Sequence, residues 1–388
     1  MQLILSIAIV AVLLGCAFVL VRYPTEKLNG DSPVGLFAFI AILFTSGLDV
    51  GLIMLPLTEY PLYAGEGLGA GEANPYGFTN PLATSFGFWG FLIWAFYFLT
   101  TFYFCAIEPK LQFFQKPLVN AVNTIVIIGT CAFTAYLFLS NLPTYLPELP
   151  AVAYYAIVAF VVLCAVLSST HLRWVTILSV ASIFLFAALI LIMWFASSTG
   201  VTGLGSTLFQ LGDYFPNVHR FVLPFSDYHA FYLFWWFSWS IMIGQFVSRF
   251  VNNMEVWKLF LALLIFPSIP IAIWFSVLYI YYDQGIAIAP WLNMLMIVVG
   301  VTFVINSLDS LTRLYTENMK LTVTTMGFSK YVLLHWAAMF TLIMLYQFTP
   351  LQIEWIGLIV IAIYAATFTY VIKQGGIAGL VNAKKMVR

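Results

Sequence analysis

Long apolar runs separated by short polar segments set the pattern of this chain. Eleven runs are long enough to cross a bilayer, at about residues 2–22, 34–57, 84–106, 117–139, 150–168, 173–197, 227–250, 256–281, 288–315, 329–347 and 352–373. A membrane-crossing helix needs roughly 20 apolar residues, and only helices and closed barrels satisfy their backbone in lipid. The pattern predicts an all-α integral membrane protein of about eleven helices. The first run has no basic start, and its flank Arg22-Tyr23-Pro24 holds no small-residue cleavage site. It reads as a helix rather than a signal peptide. Two intervening segments are long. Residues 58–83 carry five glycines and three glutamates without a lysine or arginine, and read as a flexible outer cap. Residues 199–227 are expected to hold a short surface helix near 208–214.

Composition agrees with this reading. The chain has 388 residues, 63% hydrophobic and 8% charged, a ratio that excludes a water-soluble domain. Lys+Arg and Asp+Glu are both 15, so no net charge attracts nucleic acid; the expected surroundings are lipid. Fourteen of the fifteen basic residues fall on one side of an eleven-helix threading, and only Arg220 falls on the other. The positive-inside bias then places the N-terminus outside and the C-terminus inside a cytoplasmic (inner) membrane. Cys16, Cys105, Cys131 and Cys164 sit in apolar runs without metal-ligand spacing, and read as small buried hydrophobes. The histidines are scattered and no nucleophile–base pair stands at short spacing, which argues against an enzyme.

Three constellations interrupt the apolar pattern. The run from Phe231 to Ser240 holds Trp235, Trp236 and Trp239 within five residues. Interfacial belts use one or two aromatics near a helix end. Clustered indole faces instead suit a quaternary ammonium, which has no N–H to donate and is drawn to ring faces. A second aromatic set, Trp89, Trp94 and Tyr97, places Trp94 and Tyr97 three residues apart on one helix face. Such stripes are more often packing than a site. The third feature is Thr45-Ser46-Gly47-Leu48-Asp49-Val50-Gly51 inside the run 34–57. A carboxylate at mid-bilayer is costly, and two glycines weaken the helix beside it. This helix is expected to be discontinuous, as at many transporter sites, with Asp49 a substrate or ion ligand rather than merely a hydrogen-bonded buried acid. A polar island at Phe303, Asn306, Ser307, Asp309, Ser310 and Thr312 offers hard oxygen ligands for a small cation. Interhelical hydrogen bonding explains it equally well.

In sequence order, these segments resemble the betaine/choline/carnitine transporter family. Its tryptophan signature is similar to Phe231-Tyr232-Leu233-Phe234-Trp235-Trp236-Phe237-Ser238-Trp239-Ser240, followed by an apolar run to Arg249. Its glycine stretch and Ala-Glu-Pro resemble Gly47-Leu48-Asp49-Val50-Gly51 and Thr58-Glu59-Tyr60-Pro61. Its next helix resembles Thr84-Ser85-Phe86, Trp89-Gly90, Trp94-Ala95 and Tyr97. Gly212-Asp213-Tyr214 and Asn306-Ser307-Leu308-Asp309-Ser310 match further segments. The resemblance implies a LeuT-type core of ten transmembrane helices in two inverted five-helix repeats, at 34–198 and 227–373. An extra N-terminal helix and loop (1–33), an extracellular connection (199–226) and a short cytoplasmic tail (374–388) complete the division.

The resemblance also implies an ion-coupled symporter of a quaternary ammonium compound such as choline, glycine betaine or carnitine. The competing reading is a non-transporting receptor or accessory subunit on the same scaffold. The substrate box would be Trp94, Tyr97 and Trp239, with Trp89, Trp235 and Trp236 on or near the path. A sodium site would draw on Thr45, Leu48, Phe303, Asn306 and Ser307. No cofactor is implied beyond sodium or a proton as coupling ion, and a homotrimer is the family's assembly. Three positions depart from the family: Leu233 replaces a ring, Asn306 replaces a hydroxyl, and Asp49 stands at the glycine break. An acid there would pair with a positively charged substrate such as choline, carry a proton, or add a sodium ligand.

Overall fold

The computed structural model describes residues 1–47, 50–69 and 71–382; side chains at 45–47, 172, 176, 378 and 382 are not described. The described chain is all-α but for one two-residue ladder. Helix α1 (Gln2–Arg22) leads through β1 (Lys27–Leu28) to α2 (Leu36–Gly47) and α3 (Gly51–Ala64). Then come α4 (Pro81–Trp89), α5 (Leu92–Ala106), the short α6 (Glu108–Leu111), α7 (Pro117–Tyr145), α8 (Ala151–Ser169) and α9 (Leu172–Ala196). The connection carries α10 (Val201–Gln210) and α11 (Tyr214–Asn217). The second half holds α12 (Asp227–Val247), β2 (Met254–Glu255), α13 (Val256–Asp283), α14 (Pro290–Asn318), α15 (Val323–Met326), α16 (Phe328–Phe348), α17 (Ile353–Lys373) and α18 (Gly376–Asn382).

Among the described residues, ten spans are long and apolar enough to cross a membrane, α4 and α5 together making one. They fall on ten of the eleven apolar runs. The remaining run, 34–57, is the one expected to be discontinuous, and it is divided between α2 and α3, of 12 and 14 residues. Leu48 and Asp49, at the break itself, lie outside the described residues. Helix α3 continues to Ala64 through Pro56 and Pro61 and closes on Gly65 at φ 80°. The outer cap expected over 58–83 therefore begins seven residues later than the polar pattern indicates.

The starts of the two site helices are set locally. Asn80 caps α4 by accepting from the Ala83 N–H at 2.8 Å, with Pro81 in the first turn. Ser226 caps α12 by accepting from the His229 N–H at 3.0 Å. Both satisfy an N–H that the helix geometry leaves open. A second interruption appears where none was expected. The chain leaves helical geometry at Gly90 (φ −90°, ψ −168°), dividing Trp89 on α4 from Trp94 on α5. A Cβ on Gly90 would meet the Phe86 carbonyl at 2.8 Å.

The long helices sort into two packing groups. Helices α3, α4, α5 and α13 pack together with α12 laid along α5; α7, α8, α9, α14 and α16 form the other set. Helix α17 bridges them, contacting α12 and α7. The ladder pairs Lys27 with Glu255 and Leu28 with Met254, fastening the chain after α1 to the start of α13.

Candidate functional site

The site is built on the seam between α5 and α12. The Thr100 hydroxyl donates to the Ser240 carbonyl at 2.8 Å. Gly244, one turn on, lies so close that a Cβ there would collide with the Thr100 side chain. This close approach holds Trp94 and Tyr97 of α5 and Trp239 of α12 on two helices in direct contact. All three are buried, at 0%, 0% and 1% exposure. Trp94 and Tyr97 meet edge to face at 5.3 Å and 89°, the arrangement their three-residue spacing allows. Among the described residues Trp239 makes no ring contact with Trp94, so the implied three-ring box is not closed on itself in this structure.

Trp89, Trp235 and Trp236 form a separate cluster toward the N-terminal end of α12. Trp235 and Trp236 stack at 4.8 Å and 9°. Trp89 stands edge-on to both, at 5.5 and 4.9 Å. Phe133 of α7 meets Trp235 edge-on at 5.7 Å, joining the two packing groups. The cavity beside Phe88, Tyr232 and Trp236 is about 10 Å³, no larger than a single water requires. The aromatic region is closed.

The indole N–H groups divide sharply. Trp236 donates to the Phe88 carbonyl at 2.8 Å. Among the described residues the N–H groups of Trp89, Trp94, Trp235 and Trp239 are buried without an acceptor. Buried donors without partners are uncommon and call for an explanation.

The cation candidates are placed unevenly. Phe303 of α14 packs edge-on against Phe44 at 6.1 Å and against Phe186 at 5.5 Å. That sets α14 beside the end of α2, where Thr45 stands; the Thr45 side chain, Leu48 and Asp49 are not among the described atoms. The Asn306 amide is engaged with α9: it donates to the Leu178 carbonyl at 3.2 Å and the Ser182 hydroxyl at 2.5 Å, and its oxygen accepts from Ser179 at 3.4 Å. This is the interhelical bonding that the polar island also permitted. Ser307 is buried beside it. Asp309, wholly buried, accepts from Ser168 at 2.5 Å and Ser310 at 3.2 Å. Among the described residues none of the four cysteines is in a disulfide.

Glu59 was not singled out, and it is central to the geometry. It is 3% exposed on α3, and its Oε1 accepts from the Tyr228 and Tyr232 hydroxyls of α12, each at 2.5 Å. It falls two residues past the apolar run 34–57, in the segment read as the outer cap, and becomes a buried acid only because α3 continues to Ala64.

No protein-family model matches the chain. It is 25% identical over 308 residues to an uncharacterised transporter of Mycobacterium tuberculosis, covering 66% of this chain and 50% of that protein. It is 23% identical over 320 residues to the glycine betaine transporter OpuD of Bacillus subtilis, covering 69% and 60%. The chain thus spans about half the length of the first of these relatives. Among solved structures it is similar to a Na+-coupled sialic acid symporter, with TM-score 0.48, 13% identity and coverage of 98% of this chain and 85% of that one. It is also similar to Mhp1, a nucleobase-cation-symport-1 family transporter, with TM-score 0.49, 11% identity and coverage of 87% and 77%. The chain is a multi-pass membrane protein, and what it resembles are transporters.

Proposed function

We propose that this protein is an ion-coupled transporter of a quaternary ammonium compound, with Trp94, Tyr97 and Trp239 holding the ammonium head. The observation that carries this reading is the α5–α12 seam. It buries Trp94, Tyr97 and Trp239 on two helices in direct contact and leaves the N–H groups of Trp94 and Trp239 without acceptors among the described residues. Ring faces attract a desolvated cation by about 2 kcal/mol each. The two spare donors suit a carboxylate, so a zwitterion such as glycine betaine answers both features where choline answers one. The likeness to a glycine betaine transporter supports the same class. Trp89, Trp235 and Trp236 line the approach. Parting the two packing groups separates Phe133 from Trp235 and opens the approach to the α5–α12 seam.

Under the same reading the core is two inverted five-helix repeats, 34–198 and 227–373, crossing an inner membrane with its basic ends inside. A coupling ion sits between α2 and α14, near Thr45, Leu48, Phe303, Asn306 and Ser307. Asp49 stands at the same break. Coupling requires the ion to prefer one arrangement of these helices. The deciding experiment is uptake of labelled glycine betaine and choline into proteoliposomes under separate sodium and proton gradients. Saturable uptake lost in Trp239→Ala supports the assignment; uptake with unchanged affinity in that variant refutes it.

A further inference from the structure

At the Arg249 end of α12 the helices part around a cavity of about 570 Å³, within the size range of small-molecule sites. Its wall is polar. Three carboxamides from three helices form a chain across it. Asn123 of α7 donates to Gln245 of α12 at 3.2 Å, and Gln245 donates to Asn318 of α14 at 3.3 Å. A chain of three amides always ends in one spare acceptor and one spare donor; turning every amide over only exchanges the ends. Here the spare atoms are Asn123 Oδ1 and Asn318 Nδ2, both without partners among the described residues. Asn123 is 1% exposed, so its free oxygen is not satisfied by bulk water.

The charges on the wall divide in the same way. The Glu108 carboxylate is taken up by the Tyr103 hydroxyl at 2.7 Å and by the Phe113 and Phe114 N–H groups at 3.1 and 2.9 Å. Arg249 is paired with Glu317. Asp31 and Lys320 also line the cavity, and neither has an ion pair among the described residues. The cavity therefore carries one unengaged charge of each sign, and one spare donor with one spare acceptor.

We propose that this cavity is a second solute site, separate from the aromatic region, and that its ligand is a small zwitterion with an N–H-bearing ammonium and a carboxylate. The ammonium needs an acceptor and a negative neighbour, supplied by the free end of the amide chain and Asp31. The carboxylate needs a donor and a positive neighbour, supplied by the other end and Lys320. Asn123 and Asn318 both line the cavity. A net cation or net anion meets one repelling group. A fully methylated ammonium has no N–H to give, so this site selects against the very solutes assigned to the aromatic region. Gln245 lies six residues beyond Trp239, about 9 Å along α12, so one helix serves both sites.

The test is calorimetric titration of the purified full chain in lipid nanodiscs. The probes are 4-aminobutyrate and its N-trimethyl form, which carry the same charges and differ by three N–H groups exchanged for methyls. The expected result is saturable binding of 4-aminobutyrate, about tenfold tighter than the trimethyl form, since an unmade hydrogen bond leaves a partner unsatisfied. Asn318→Asp and Lys320→Ala should each weaken it about tenfold, and Trp239→Ala should leave it unchanged. Lys320 is exposed, so its variant tests the site even where Asn318→Asp disturbs folding. No saturable 4-aminobutyrate binding, binding that survives Lys320→Ala undiminished, or binding lost in Trp239→Ala would overturn the proposal. Failure of the ammonium-transport reading shows instead in betaine uptake, which this titration does not measure.

Discussion

Arg249 Nη1 lies 2.7 Å from Glu317 Oε2, tying the end of α12 to the end of α14. Arg313, one turn back on α14, holds the other carboxylate oxygen at 3.0 Å. This pair joins the two packing groups, and both partners are about one-third exposed. Solvent screening limits such pairs to about 1 kcal/mol or less. Glu317→Gln should therefore shift the melting temperature by only a few degrees. Uptake rate, which depends on parting the groups, should change more than stability does. A large thermal loss with unaltered uptake would make the pair purely structural.

Trp94→Phe keeps a ring face and removes one unpaired N–H. Affinity for a carboxylate-bearing betaine should fall about tenfold, and that for choline should change by less than about twofold. Competition uptake with both compounds measures this, and equal losses would remove the N–H from substrate recognition.

Gly244→Ala drives a methyl into Thr100 at the tightest point of the α5–α12 seam. Overpacking of this kind costs about 1–3 kcal/mol, so the purified protein should melt several degrees lower. Gly205→Ala, with nothing within 4 Å of the added carbon, should be silent in the same assay.

Removing the Glu59 carboxylate strands two buried hydroxyls. Glu59→Ala should cost about 1–3 kcal/mol. Glu59→Gln, which still offers an oxygen to Tyr228 and Tyr232, should recover most of it. Thermal melts of both variants decide; equal losses would mean the tyrosines find other acceptors.

Glu108 supplies a pH dependence. Burial pushes its carboxyl above the ordinary glutamate range, against the pull of its Tyr103, Phe114 and Phe113 donors. The folded chain thus binds this proton more tightly than the unfolded chain does. The stabilisation is present below the ordinary glutamate pKa and is lost as pH rises through the elevated one. Glu108→Gln should flatten that part of the stability–pH curve, which melting temperatures across the acid range will show.

Much of the architecture was legible because membrane helices declare themselves locally. Each span is an apolar run bounded by polar residues, and the Gly47–Gly51 segment marked the one run that divides into α2 and α3. The Trp94–Tyr97 contact was legible too, since a three-residue spacing fixes it within one helix. Pairings between helices were not. Nothing in the periodicity separates Trp235 and Trp236, which meet Trp89 edge-on, from Trp239, three residues on, because that division depends on α4, α5 and α7. The turn at Gly90 has a single glycine for a signal, and most glycines inside helices leave them continuous. Asn306 carried two meanings in the sequence, and only the position of Ser179 and Ser182 on α9 shows where its amide is engaged. The Asn123–Gln245–Asn318 chain joins residues up to 195 positions apart by their numbering, so no local pattern announces it.

The short ladder after α1 has a mechanical consequence. Gly30 N–H bonds the Val251 carbonyl at 2.8 Å and Ser32 N–H bonds the Arg249 carbonyl at 2.8 Å, alongside the Lys27–Glu255 pairing. The strand is thus stitched to the corner between α12 and α13. Helix α1 exposes Leu3, Ile7, Leu14 and Val21 along its outer face. Any swing of that corner drags α1 sideways through the surrounding lipid, so the first helix acts as an oar whose blade is the membrane. The viscosity and thickness of the bilayer then enter the work of moving α12, through the same corner that holds Asp31 on the wall of the second cavity.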